Sequence, residues 1–240
     1  MTDKLIQIVE CYFSRLRDEH GLGAGTDERS YYPVFAELLN SLGQELKPKV
    51  LCLSDLANTG GGHPDFGLYA ANQVQKGEPR KGQPPERGVI EMKGVNDETW
   101  LTADTKQISK YFGAYQLVVI SNLRDFLIVG EGPAGAATKL EGFKLAPTAK
   151  AFWEMVATPR KSAERVGAAF GEYLIRIMEP RGYASALPTA AGLRMVQCRG
   201  IRSSSVDLTS FGVKLTLSSR VGRYSSSQSL SVRSTGYVLA

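Results

Sequence analysis

Two stretches decide the fold, Gly62-His-Pro-Asp-Phe-Gly67 and Gly88-Val-Ile-Glu-Met-Lys-Gly94. The first stretch leads into a short apolar run and the second contains one, and these runs predict strands at Phe66–Ala70 and Gly88–Met92. The segment 72–87 between them is rich in Lys, Arg, Gly, Pro and Gln, which predicts a long exposed hairpin loop. The sequence therefore predicts two strands that pair as a hairpin, with an acidic residue near the end of each.

The acidic residues are Asp65 and Glu91, and a hairpin brings them to adjacent strand ends. Alternation along a strand places Glu91 and Lys93 on one face and turns Met92 toward the core. The carboxylates of Asp65 and Glu91, with the Met92 carbonyl, are oxygen ligands of the kind that Mg²⁺ prefers while it keeps several waters. Lys93 is then placed to orient the attacking water or to stabilise charge developing on a phosphate. Metal-activated water is what phosphodiester hydrolysis requires.

The apolar periodicity along the rest of the chain predicts the fold class. Helical spacing occurs early and late in the chain, and strand-like runs lie between, so the order predicts a mixed central β-sheet flanked by helices, an α/β fold with extra C-terminal helices. The predicted helices are 3–18, a second beginning near 26–33 and ending at 42, 102–112, 148–157 and 161–178; the further predicted strands are 50–53, 117–121 and 125–130.

A glutamine and a tyrosine on the predicted helix 102–112 face the same direction. Gln107 and Tyr111 are four residues apart, hence on one side of a helix. This pair is suited to hold a phosphate or to support the cleft. An exposed glutamine beside a core tyrosine is an equally ordinary interpretation of the same spacing.

The positive charge of the chain, +5 overall, is concentrated in its last quarter. Residues 181–240 hold eight Lys/Arg and one acid, which leaves 21 basic and 23 acidic residues before them. Twelve serines in 203–234 and no apolar period predict a disordered or poorly structured tail over 179–240. The basic character is therefore no argument that the first 180 residues bind DNA.

Targeting signals and cysteine pairs are not apparent in the sequence. No run approaches eighteen apolar residues, so no membrane association is expected, and the N-terminus does not resemble a secretion signal. Cys11, Cys52 and Cys198 are widely separated and do not form Cys-x-x-Cys pairs. This usage predicts reduced thiols and a cytoplasmic location.

In this order, Asp65, Glu91-x-Lys93 and Gln107-x-x-x-Tyr111 resemble the PD-(D/E)XK nuclease superfamily. Within that superfamily the chain resembles the N-terminal nuclease domain of single-polypeptide restriction–modification enzymes of a type I-like kind, well over about 25–135 and weakly to about 178. The segments that carry the resemblance, beyond the two quoted first, are Glu28-Arg-Ser-Tyr-Tyr-Pro33, Leu46-Lys-Pro-Lys-Val50 and Ser121-Asn-Leu-Arg-Asp-Phe126.

The resemblance implies a restriction-endonuclease-like core and a Mg²⁺-dependent DNA endonuclease of a phage-defence system, with Mn²⁺ as a substitute and double-stranded DNA as the substrate. It also implies that Glu28 is the acid of the family's first helix, with Glu37 as the rival. In these terms, 1–178 is the nuclease-like domain, with the helices of 147–178 packed on its core or following it.

The chain lacks two motifs that such enzymes carry, the Gly-x-x-x-x-Gly-Lys-Ser/Thr phosphate loop and Asn-Pro-Pro-Tyr. A nuclease module without motor and methyltransferase is therefore expected, with a motor or methyltransferase partner, or a second copy of the chain, as its protein partner. Two alternatives remain open: a non-catalytic DNA-binding or partner-docking module, and an inactive truncated remnant of a restriction–modification enzyme.

Overall fold

The structure is a computed structural model that describes residues 2–23, 28–58, 60–132 and 135–179. Six α-helices lie in these segments, together with a 3₁₀ turn at Glu28–Tyr31 and another at Ala71–Gln73. The helices are α1 Thr2–Gly21, α2 Tyr32–Gly43, α3 Thr99–Thr102, α4 Lys106–Tyr115, α5 Ala149–Val156 and α6 Pro159–Met178. The strands are β1 Val50–Ser54, β2 Phe66–Ala70, β3 Val74–Gln75, β4 Glu78–Pro79, β5 Val89–Met92, β6 Val118–Ser121, β7 Asp125–Glu131 and β8 Ala137–Lys144.

Six of the strands form one mixed sheet in the order β1-β2-β5-β6-β7-β8. Neighbours are antiparallel except for β5 and β6, which run parallel with Val89 opposite Val118. β2 and β5 pair antiparallel with Phe66 opposite Ile90, as the sequence predicts. The predicted fold class, a mixed α/β sheet flanked by helices with further helices at the C-terminal end of the described chain, is confirmed.

The two faces of the sheet pack against different helices, and this decides where the charged residues of β5 lie. Ile90 and Met92 belong to the larger core, which also holds the apolar faces of α1, α2, α5 and α6. Val89 belongs to the smaller core beneath α4. Because side chains alternate along a strand, Glu91 lies on the α4 side while Met92 is fully buried on the other, as predicted.

The hairpin between β2 and β5 is more ordered at its base than the sequence predicts. Gln73 is buried, and its Oε1 accepts hydrogen bonds from the backbone N–H groups of Ala70 and Glu86 at 3.1 and 3.0 Å, while its Nε2 donates to the Pro84 carbonyl at 2.7 Å. Only the part beyond this residue, which carries the two-stranded β3–β4 pair, is the exposed loop that was expected.

The sequence prediction differs from the structure in the bounds of one helix and in one strand that it missed. The single helix expected at 102–112 is two helices, α3 and α4, because Thr105 caps α4 with its side chain accepting from the N–H of Ile108. β8 is absent from the sequence prediction because it is an edge strand in which Lys and Glu interrupt the apolar alternation.

Within the described segments, no helix is both long and apolar enough to cross a membrane. The prediction of an unstructured tail over 179–240 concerns residues that, apart from Glu179, lie outside the described part of the chain.

Candidate active site at the ends of β2 and β5

Glu91 is the most buried charged group of the site, with 3% of its surface exposed. Its Oε1 accepts hydrogen bonds from Lys93 Nζ at 2.6 Å and from Gln107 Nε2 at 3.0 Å. Its Oε2 is buried and has no hydrogen-bond partner among the described residues. Burial raises the pKa of Glu91, as do the charges of Asp65 and Glu28, against the hydrogen bond and charge of Lys93. A buried carboxylate oxygen without a partner is unfavourable unless a cation binds there.

Lys93 follows directly after β5, and its side chain is 27% exposed. Burial acts to lower the pKa of Lys93, but its hydrogen bond to Glu91 and the negative charges of Glu91, Glu28 and Asp65 outweigh burial and raise it. Lys93 is therefore an ammonium ion at neutral pH, which suits the stabilisation of negative charge and the orientation of water rather than proton abstraction.

Asp65 stands where the pairing of β2 with β5 ends. Its Oδ2 accepts a hydrogen bond from the backbone N–H of Met92 at 2.8 Å, so the carboxylate replaces a strand partner beyond the Phe66–Ile90 pair. This contact fixes Asp65 beside the backbone of Glu91-Met92, as the predicted hairpin requires.

Gln107 and Tyr111 connect α4 to the turn that precedes Asp65. Gln107 Nε2 donates to Tyr111 Oη at 2.9 Å as well as to Glu91, and Tyr111 Oη donates to the carbonyl of His63 at 2.9 Å. A Cβ on Gly62 would lie 2.9 Å from the ring of Tyr111, so this turn approaches α4 as closely as glycine permits. The structure thus brings both residues into the site, where they hold protein groups; the predicted contact of Gln107 with a phosphate stays a prediction.

Glu28 enters the site from the 3₁₀ turn before α2. Its pKa is raised by burial and by the charges of Asp65 and Asp97, while Lys93 lowers it, so Glu28 lies within electrostatic reach of the acids and the lysine. Glu37, the rival from sequence, is instead paired with Arg15 at 2.6 Å on the exposed side of α2. The geometry favours Glu28 over Glu37.

Tyr32 is a site residue that the sequence interpretation did not single out. It is 5% exposed, and its hydroxyl lies 3.5 Å from Glu28 Oε1 and near the side chain of Asp65. Burial and the neighbouring acids raise the pKa of Tyr32, so it remains a proton donor among carboxylates. The sequence signal that could have identified Tyr32 is its position four residues after Glu28, which is about one helical turn away.

A buried polar brace holds the segment that follows Lys93. Arg124, 3% exposed, donates from Nε to the Val95 carbonyl at 2.8 Å and from Nη1 to the Pro147 carbonyl at 3.3 Å. Asn122, fully buried, donates from Nδ2 to the Asp97 carbonyl at 2.6 Å. Because β5 ends at Met92, this brace from the β6–β7 turn fixes the backbone on which Lys93 stands.

The residues at this site fit a divalent cation that protein and water ligate together. Asp65, Glu91 and Glu28 outnumber Lys93, and the unpartnered Glu91 Oε2 is an oxygen of the type that Mg²⁺ takes. In the described part of the chain, no cluster of three or more His, Cys, Asp or Glu side chains forms a complete metal site. Water would therefore have to supply most of the ligands, as is usual for Mg²⁺.

Comparisons with known proteins give little. No family model matches the chain, and no curated protein matches it. Among the solved structures that match is a cryo-EM structure of a DrdV–DNA complex, at 17% identity and a TM-score of 0.45, over 65% of this chain and 14% of that one. A likeness at this level establishes neither the fold nor the activity of this chain.

Proposed function

We propose that this protein is a Mg²⁺-dependent DNA endonuclease of the PD-(D/E)XK type, a restriction-type nuclease module. The observation that carries the proposal is the buried Glu91 carboxylate, with Lys93 and Gln107 on one oxygen and no partner, among the described residues, on the other. A purely structural ion pair would leave that second oxygen unsatisfied at a cost of about 1–3 kcal/mol. A bound cation would remove this cost.

Asp65 and Glu91 would hold the metal, together with the carbonyl of Met92. Glu28 would act through a water or a second metal, since it shares the electrostatic environment of Asp65 and Lys93. When bound, the metal supplies a water acidic enough to attack a phosphodiester near neutral pH.

The remaining side chains position these groups and the substrate. Lys93, held as a cation 2.6 Å from Glu91, would orient the attacking water and stabilise charge on the phosphate. Gln107 would support the phosphate by donating to it in place of Glu91. Tyr111 keeps α4 against the turn before Asp65 through its hydrogen bond to the His63 carbonyl. DNA is the expected substrate, with Mn²⁺ as a substitute metal.

The test is nicking of supercoiled plasmid by the whole chain with Mg²⁺, with Mn²⁺ and with EDTA. Lys93→Ala and Asp65→Ala should each reduce Mg²⁺-dependent nicking by at least about a hundredfold, the loss typical for one group that stabilises transition-state charge. Glu37→Ala is the matched control, because it removes an exposed acid of α2 that pairs with Arg15 and is not part of the proposed site. Equal nicking by the Lys93 and Glu37 variants, with folding intact, would refute the assignment.

The same assay separates the alternatives. A non-catalytic DNA-binding or docking module retains DNA in a mobility-shift experiment but gives no metal-dependent product. An inactive remnant gives neither product nor a melting temperature that responds to Mg²⁺.

A further inference from the structure

A cavity of about 250 Å³ adjoins the proposed active site, and its lining includes charged and aromatic side chains beside Gly94, Val95, Asn96 and Leu123. Glu28 and Lys93, two of the proposed catalytic groups, form part of its lining. The same cavity is lined by three aromatic side chains, His20, Tyr31 and Trp153. We call it the aromatic cavity.

The three aromatic rings are held together as one unit. The His20 and Trp153 rings are stacked with centroids 3.7 Å apart and planes 2° from parallel. Tyr31 packs against Trp153 at 5.6 Å, and its hydroxyl lies 3.3 Å from His20 Nδ1. Tyr31 is buried, whereas Trp153 is partly exposed and His20 is exposed. The stacked faces of His20 and Trp153 cover each other, so the accessible aromatic surface of the unit comes mainly from His20, supported by Trp153 and Tyr31.

The size and chemistry of the cavity suit a single nucleobase. Drug-sized ligands occupy roughly 300–1,000 Å³, so a cavity just below that range takes one planar ring system and not a base pair. Aromatic side chains bind bases of any sequence by stacking, typically with 1–3 kcal/mol per base. A base within a duplex is already stacked on its neighbours, so a base that enters the cavity has to be single-stranded or flipped out.

We propose that the aromatic cavity binds the base of an unpaired nucleotide next to the phosphodiester that Lys93 contacts. The inference rests on the proposed nuclease function and narrows its substrate to DNA with a single-stranded or extrahelical nucleotide beside the scissile bond. The shared lining carries this step, because Glu28 and Lys93 belong both to the proposed active site and to the cavity, so a base in the cavity lies beside the lysine proposed to contact phosphate.

Trp153 itself reports on occupancy. The chain has two tryptophans, so Trp100→Phe leaves Trp153 as the sole tryptophan fluorophore. Trp100 lies on α3, is 59% exposed and does not line the cavity. Lys139 lies over its ring, and phenylalanine retains a ring at this position. The fluorescence of the whole chain with this substitution is followed as DNA is added in a buffer that contains Ca²⁺ in place of Mg²⁺. Gels verify that the DNA stays intact. One probe is a short single-stranded oligodeoxynucleotide, and the other is a duplex of the same length closed at both ends by non-nucleotide linkers.

The single strand should quench Trp153 saturably, and the closed duplex should quench it much less. His20→Ala in the same background should weaken the apparent affinity for the single strand about tenfold, the loss of one stacking contact. Arg17 lies on the same helix and pairs with Asp18, so Arg17→Ala removes a cation near His20 in sequence. This control variant should leave the affinity for the single strand unchanged. No quenching, equal quenching by both probes, or equal affinity of the His20 and Arg17 variants would overturn the inference.

Failure of the inference differs from failure of the proposed function. Glu91→Gln should abolish nicking but retain the quenching, because Glu91 does not line the cavity. A wild-type chain that never nicks DNA but shows the quenching refutes the nuclease proposal alone. A chain that nicks DNA without the quenching refutes the cavity proposal alone.

Discussion

Replacing Glu91 with glutamine should stabilise the metal-free protein and abolish its response to Mg²⁺. The substitution preserves shape, and glutamine can still accept a hydrogen bond from Lys93, which is partly exposed and keeps contact with water. What it removes is a buried negative charge whose pKa is raised by burial and by Asp65 and Glu28. Replacing a whole buried ion pair by neutral groups is typically neutral or stabilising by about 1–4 kcal/mol. Only one partner is replaced here, and because Lys93 stays in contact with water we expect about 1 kcal/mol.

The pH dependence gives the sign of the effect. A carboxyl group whose pKa is higher in the folded than in the unfolded chain contributes stability below its unfolded pKa, and this contribution is lost as pH rises through the folded pKa. Wild type and Glu91→Gln should therefore have similar stability below about pH 4, where Glu91 is largely protonated in the unfolded chain and, with its raised pKa, in the folded protein as well. The advantage of the glutamine variant should grow as pH rises through the raised pKa of Glu91.

Addition of Mg²⁺ should reverse the order. At about ten times the dissociation constant, one bound ion stabilises the folded state by RT ln 11, about 1.4 kcal/mol. For a domain of this size, 1 kcal/mol shifts the melting temperature by roughly 2–4 °C. Wild type should gain about 3–6 °C in Mg²⁺ on this scale, and the Glu91→Gln variant almost nothing.

The assay is thermal unfolding followed by circular dichroism at several pH values, in EDTA and in Mg²⁺. Glu37→Gln is the control, since it neutralises an exposed acid on α2 that pairs with Arg15, and it should show the full Mg²⁺ shift. An equal Mg²⁺ shift for the Glu91 and Glu37 variants would show that the ion binds elsewhere. A metal-free Glu91→Gln variant less stable than wild type at neutral pH would show that the Lys93 ion pair outweighs the cost of burial.

Three further predictions concern the surroundings of the site. Tyr32→Phe should reduce Mg²⁺-dependent nicking about tenfold, the value of one hydrogen bond to a charged group, with little change in melting temperature because the ring remains. Arg124→Met should lower the free energy of unfolding by about 3 kcal/mol in urea titrations, because it removes a buried guanidinium that donates to the carbonyls of Val95 and Pro147. As a control, Arg160→Met removes an exposed ion pair with Glu164 on α6 and should change the free energy of unfolding by less than about 0.5 kcal/mol. Gly62→Ala should destabilise the chain and weaken nicking, since the added Cβ meets the Tyr111 ring at a φ of +115°, and a wild-type melting curve for this variant would contradict the proposed packing.

The strands of the site could be predicted because their local sequence and their environment agree. Phe66–Ala70 is apolar and buried along its whole length, and its bounds are those predicted. β8 could not be found in this way, because an edge strand needs little apolar surface and its alternation depends on the neighbouring β7. The break between α3 and α4 was readable only from the capping side chain of Thr105, since apolar spacing continues across it.

For the site itself, sequence predicted which residues meet but not how they are satisfied. The order of Asp65, Glu91 and Lys93 on a hairpin sufficed to bring them together. Whether Gln107 bonds to Glu91 or points into solvent depends on the distance between α4 and β5, which is set by the core beneath that helix. Tyr32 was missed for the same reason, because its hydroxyl acquires its role only from carboxylates that arrive from another strand.

The buried amide of Gln73 makes the tip of the β2–β5 hairpin an exchangeable insert. Its three hydrogen bonds close the backbone at residues 70, 84 and 86, so residues 74–83 join the sheet through fixed anchor points and not through their own packing. Changing the length of such a closed loop alters its closure entropy only logarithmically, by about 0.6 kcal/mol for each doubling. A foreign peptide or a small domain can therefore be grafted between β3 and β4 for recombination or fusion without a shift in the pairing of Phe66 with Ile90.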